Sequence, residues 1–155
     1  NPEFQFHNKY VIISGGNGSS VKYFYSEPQL LTTANKKLNM PDSVVDFELS
    51  ETDYIELLRA GSVLQLPDLM VKSMNGNAEI VVHDKNDVTS NSYSVNLGDL
   101  ASEEDFEFHF KVENFKMMQG DYQVSITDKV VSRFINNSKD LTYWIALESD
   151  SKYGI

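Results

Sequence analysis

Apolar and polar residues alternate along most of this chain with a period of two. Phe106, Phe108, Phe110 and Val112 are interleaved with Glu107, His109, Lys111 and Glu113, and Tyr122, Val124 and Ile126 with Gln123, Ser125 and Thr127. Shorter runs repeat the pattern at Val45, Phe47 and Leu49, at Tyr93, Val95 and Leu97, and at Tyr143, Ile145 and Leu147. Successive side chains of a strand point to opposite faces, so the alternation predicts strands with one face on a core and the other in water. Turn-forming stretches separate the runs: GGNG at Gly15–Gly18, NGN at Asn75–Asn77, KND at Lys85–Asp87 and QGD at Gln119–Asp121. Together they predict a meander of antiparallel strands.

One segment departs from this period. Ser50 to Gly61, SETDYIELLRAG, reads as a helix. Ser50 is placed to cap it, with Asp53 three residues on, and the acids of the first turn suit the positive end of the helix dipole. At helical spacing Tyr54, Ile55, Leu57 and Leu58 form one apolar stripe, with Glu56 and Arg59 on the opposite side. Gly61 and Pro67 mark the predicted end. A second, very short helix or turn is expected at Val112–Met118. The block from Val44 to Leu97 and the block from Glu104 to Leu147 then share one order, strand, helix, three strands, which is an internal repeat. Ahead of it lie strands at Phe4–Phe6, Tyr10–Ser14 and Val21–Tyr25, and a polar stretch with Pro28, Pro41 and Lys36-Lys37 that suits a connector. The reading is the closing strands of one domain at 1–27, a connector at 28–41 and a whole domain at 42–155. The opening NPEF, with no methionine, suggests a piece cut from a longer protein.

Charge narrows the chemistry. Lys plus Arg number 13 against 23 Asp plus Glu, a formal net charge of −10. That balance argues against a protein that holds nucleic acid by its overall charge, but leaves room for a local basic surface. With no cysteine there is no disulfide, thiolate metal site or cysteine nucleophile. Apolar runs fall far short of the roughly 20 residues needed to span a bilayer as a helix. His7, His83 and His109 sit in separate predicted strands, with no HExxH, Walker or GxSxG pattern beside them. No enzyme activity, metal or cofactor is expected.

Three stretches carry a resemblance: SETDYIELLRAGSVLQLPD, NLGDLASEEDFEFHFKVENFKMMQGDYQVSI and TYWIALESDSKYGI. In their order and spacing the chain resembles the carboxy-terminal two-thirds of the sliding clamps, or DNA polymerase processivity factors, of T-even-like bacteriophages. The segment FQFHNKYVIISGGNGSSVKYFY looks like the closing strands of the preceding clamp domain. The resemblance implies an α+β DNA-clamp fold, built from repeated strand–helix–three-strand half-units with antiparallel sheets. It also implies a head-to-tail homotrimeric ring around duplex DNA, with helices lining the hole and sheets forming the wall. The implied partners are a clamp-loader ATPase, the phage DNA polymerase and late-transcription factors, all in the cytoplasm of the infected bacterial host.

Site expectations follow. Arg59, on the polar face of its helix, is the leading DNA-facing residue; its plain alternative is a partner for Glu56. Ser62 stands where relatives can carry a second basic residue, so contact by this helix is expected to be weak. Lys116 is expected at the matching place in the second half-unit, on its short helical turn, and is the second DNA-facing candidate. Leu30, Leu31, Leu38 and Met40 supply apolar side chains to the connector, either as a docking site for partner peptides or as pins holding the connector to the sheet. The strand Ser92, Tyr93, Ser94, Val95, Asn96 and Leu97 resembles the edge that pairs with the next subunit. Lacking most of a first domain, the chain is not expected to close a ring. The rival reading is a phage β-rich structural or protein-binding module without DNA contact.

Overall fold

A computed structural model describes residues 1–31, 39–100, 102, 104–128 and 130–155. The chain divides into two compact units, Asn1–Asn39 and Met40–Ile155. In the first, strands β1 (Glu3–Phe6), β2 (Tyr10–Ser14) and β3 (Ser20–Phe24) form a three-stranded antiparallel sheet in the order β1-β2-β3. The second hairpin turns where GGNG predicts it, closed by Gly15 N–H on the Ser19 carbonyl at 2.8 Å. A 3-10 turn, Pro28–Leu30, follows.

The second unit opens with β4 (Val45–Leu49), helix α1 (Glu51–Leu64) and three strands, β5 (Asp68–Met74), β6 (Asn77–His83) and β7 (Tyr93–Asp99). The order then recurs as β8 (Phe106–Lys111), a 3-10 turn at Val112–Asn114, β9 (Tyr122–Ile126), β10 (Val131–Asn136) and β11 (Leu141–Ala146), with the short β12 (Lys152–Tyr153) at the end. The repeat in the sequence is thus a repeat in the fold.

The two half-units exchange their first strands. One sheet runs β11-β10-β9-β4 and the other β12-β8-β5-β6-β7. β4 therefore closes the sheet of the second half-unit, in register from Val45↔Ile126 to Leu49↔Tyr122. Reciprocally, β8 joins the sheet of the first, from Asp68↔Lys111 to Ser73↔Phe106. Both pairings are antiparallel. The alternating residues of both sheets meet in one core, which includes Val45, Phe47, Val71, Phe106, Phe108, Val124, Ile126 and Phe134. Phe115 packs edge-on against Phe110 and Phe134, with ring centroids 5.4 and 5.5 Å apart. The two half-units therefore share a single core cluster rather than each packing one of its own.

α1 begins as the capping pattern predicts. The Ser50 side chain accepts the Asp53 N–H, and Asp121, brought from the second half-unit, accepts the Glu51 N–H at 2.8 Å. The helix does not stop at Gly61 but runs on to Leu64, ending where Gln65 turns left-handed at φ 56°. Gly61 is buried inside the helix, and a Cβ there would touch Val112 at 3.5 Å, an ordinary contact. The second helix expected at Val112–Met118 is shorter still than anticipated. Only Val112–Asn114 forms a turn, and Phe115–Met118 is irregular. The reason is packing: Phe115 and Met117 are both buried, a spacing of two that a helix cannot present to one core.

Candidate functional site

Arg59 projects from α1 into solvent. Tyr54, Leu57 and Gly61 are the buried residues of this helix, and at about 100° per residue Arg59 lies nearly opposite them. Its suggested partner is otherwise engaged. The Glu56 carboxylate accepts a hydrogen bond from the Tyr93 hydroxyl at 2.7 Å, which holds the Tyr93 phenol above its ordinary value. Among the described residues Arg59 has no ion-pair partner.

Lys116 is also exposed, but it does not sit on a helical turn. It lies two residues beyond the 3-10 turn, between the buried Phe115 and Met117. The sequence alternation of buried and exposed neighbours is what turns its side chain outward. With Ile55, Leu58, Ser62, Val112 and Met117, Lys116 lines a largely apolar groove of about 410 Å³ between α1 and the 112–119 segment.

This segment is held by side chains rather than by secondary structure. The Tyr54 hydroxyl lies 2.7 Å from the Phe115 carbonyl oxygen and 3.0 Å from that of Met117, and it accepts the Met117 N–H at 3.2 Å. Burial pushes the Tyr54 phenol up to about 12, although the bond to Met117 opposes it. Tyr122 donates to the Met118 carbonyl, Tyr143 accepts the Met118 N–H at 3.2 Å, and the Lys139 ammonium reaches the Gln119 carbonyl at 2.5 Å. Sequence reasoning passed over these tyrosines because each occupies an apolar slot of its pattern, and nothing local distinguishes a hydroxyl with a distant partner from plain core.

Three lysines on or beside the five-stranded sheet are neutralised. Lys72 pairs with Glu79 at 3.0 Å, Lys85 with Asp150 at 2.9 Å and Lys111 with the buried Asp68 at 2.5 Å. Burial by itself would raise the Asp68 carboxyl, but the hydrogen bonds from Lys111 and from the Lys85 N–H outweigh it and hold the group below the ordinary carboxylate range. Within the second unit's described residues, Arg59, Lys116 and Lys152 are the cations left without a bond to another group. No group of three or more His, Asp or Glu among the described residues is arranged to hold a metal ion.

β7 is an edge of its sheet. Ser92 precedes it; Tyr93, Val95 and Leu97 are half-buried, and Ser94 and Asn96 are exposed. The connector residues are not brought together into one described site. Leu30 and Leu31 are exposed at 76 % and 55 % within the first unit, Met40 is half-buried in the second, and Leu38 lies outside the described residues.

Comparison with known proteins accounts for this architecture. The family profile described as gp45 sliding clamp, C terminal, matches residues 46–149. A sliding clamp of Vibrio phage KVP40 is 30 % identical over 154 residues, covering 96 % of this chain and 69 % of that protein. A sliding clamp of Escherichia phage RB69 is 28 % identical over 159 residues, covering 97 % and 68 %. The Helicobacter pylori beta clamp bound to a DNA ligase peptide shares the fold at a TM-score of 0.55 and 12 % identity, over 96 % of this chain; the chain spans 41 % of that one. The exchanged half-units are therefore those of a DNA clamp, and the chain belongs to the phage sliding-clamp family, matching its carboxy-terminal part.

Proposed function

We propose that the chain forms part of a processivity factor that encircles duplex DNA and tethers a phage DNA polymerase during replication, and that also serves late transcription. In this reading residues 42–155 form the second clamp domain, 1–27 the closing strands of the first and 28–41 the connector. The observation that carries this reading is Arg59, which points outward from α1 and has no ion-pair partner among the described residues, whereas Lys72, Lys85 and Lys111 are each paired with a carboxylate.

A ring holds DNA by topology. Tight phosphate binding would arrest sliding, because each neutralised phosphate adds a salt-dependent increment of affinity. A few isolated cations on an acidic body keep the duplex centred without fixing it, and no base is read. Asp53 and Glu56, on the same helix as Arg59, weaken the field further. The role is non-catalytic and needs no cofactor. A clamp-loader ATPase opens the ring, partner peptides dock on the connector side chains Leu30, Leu31, Leu38 and Met40, and β7 pairs with the neighbouring subunit of a homotrimer in the cytoplasm of the infected host. An edge strand offers unpaired N–H and C=O groups for that pairing.

The test compares this chain with a version extended by the additional sequence its relatives carry. The extended protein should be trimeric by light scattering and should lengthen the products of a phage polymerase on singly primed long templates, with its loader present. The 155-residue chain should do neither. An extended protein that neither trimerises nor stimulates returns the chain to a β-rich module without DNA contact.

A further inference from the structure

Among the described residues of the second half-unit, a 3-10 turn at Val112–Asn114 stands where the first half-unit has the helix that presents its cation. Lys116 stands instead on an irregular segment, and an irregular surface segment offers a cation no fixed direction unless something else holds its backbone. From Phe115 to Gln119 that hold comes from other elements. The carbonyls of Phe115 and Met117 face the Tyr54 hydroxyl of α1, that of Met118 takes the Tyr122 hydroxyl of β9, and that of Gln119 takes the Lys139 ammonium. The N–H groups of Met117 and Met118 go to the hydroxyls of Tyr54 and of Tyr143 on β11. Tyr122 also packs against the other two, with its ring centroid 5.7 Å from that of Tyr54 and 6.1 Å from that of Tyr143. Beyond the segment, Gly120 sits at φ 151°, where a Cβ would come within 2.2 Å of the Asn136 amide nitrogen, so the exit of the chain is fixed as well. Throughout, the Lys116 side chain remains exposed.

We propose that Tyr54, Tyr122 and Tyr143 are positioning residues that replace the absent second helix, locking the Phe115–Gln119 backbone so that Lys116 is offered to DNA phosphates from a rigid support. Tyr54 is the principal member, since it grows from the same helix as Arg59 and so ties the placement of one cation to the element carrying the other. This inference rests on the DNA-facing reading of Arg59 and Lys116. It adds a different claim, that the cation of the second half-unit works only when its backbone is held.

The experiment is a double-mutant cycle on the 155-residue chain, with affinity measured for a short fluorescein-labelled duplex at low salt. Lys116→Ala in the parent should weaken binding about three- to tenfold, the scale of one lost phosphate contact. In a Tyr54→Phe background the same change should have an effect below about twofold, because Lys116 is already misdirected. Hydrogen exchange supplies the second readout: in Tyr54→Phe the Met117 amide should accelerate at least about tenfold more than that of Val124 in β9, whose rate reports the global loss of stability. Tyr143→Phe, which removes only a bond at the exposed Met118 N–H, gives the same test should Tyr54→Phe fail to fold. An equal loss from Lys116→Ala in parent and tyrosine variants overturns the positioning role and leaves the DNA-facing reading intact. No loss from either Lys116→Ala or Arg59→Ala in the parent overturns that reading, and the positioning role falls with it.

Discussion

The Tyr54 hydroxyl sits 2.7 Å from the carbonyl oxygen of Phe115, across a separation of 61 residues, and both residues are buried. The contact joins the helix of one half-unit to the irregular segment of the other. Tyr54→Phe keeps the ring and deletes only the hydroxyl, leaving buried backbone groups without their partner. It should cost about 1–3 kcal/mol, the usual penalty for an orphaned buried polar group. Urea unfolding measures it: the midpoint should fall while the slope m stays constant. An unchanged midpoint would mean that water replaces the hydroxyl.

Arg59 and Lys116 should separate binding from stability. Arg59→Glu and Lys116→Glu each alter an exposed side chain without an ion-pair partner, so stability should stay within about 0.5 kcal/mol of the parent. Duplex affinity at low salt should drop about tenfold for each, and the dependence on salt should flatten. Unaltered titrations at several salt concentrations would remove both residues from the DNA-facing surface.

Asp68 is the buried carboxylate most exposed to a change of partner. Lys111→Ala removes the ammonium 2.5 Å away and should destabilise the domain by about 1–3 kcal/mol, below the full value for a buried pair because Lys111 is partly solvated. Since the folded Asp68 carboxyl is depressed, its contribution is complete at neutral pH. It is lost as pH falls below the unfolded value of about 3.9 and through the folded one. Acid titration followed by near-ultraviolet circular dichroism should show Lys111→Ala unfolding at a higher pH than the parent.

His83 makes the opposite demand. Burial lowers its folded value and outweighs the nearby Asp68 carboxylate, which favours the charged ring, while His109, 6.5 Å away between ring centroids, adds to the lowering. The unfolded chain therefore binds the proton more readily, so stability should decline as pH drops below about 6.5 and until the folded value is passed. His83→Gln should flatten that decline. An identical pH dependence of the urea midpoint in parent and variant would place the sensitive group elsewhere.

Much of this protein can be read from local pattern because local physics produces it. The alternation of Phe106, Phe108 and Phe110 makes a strand wherever a core is available, and Ser50 with Asp53 starts a helix whatever lies around it. Gly61 misled the reading of the helix end because its local preference for breaking a helix yields to a buried site against Val112. Lys116 is exposed, but the helical turn expected to carry it stops at Asn114, since residues 115 and 117 both turn into the core.

What the amino-acid sequence determined by itself was the strands, the capped helix, the repeat of the half-unit and the outward side of Arg59, all consequences of spacing over a few residues. Tertiary structure alone decided that β4 pairs with β9 and β8 with β5, that Asp68 takes Lys111, and that three tyrosines hold the Lys116 segment. Periodicity shows which face of an element is apolar but not which distant element will cover it. A hydroxyl or an ammonium likewise finds its partner only once the folded chain has brought the two together.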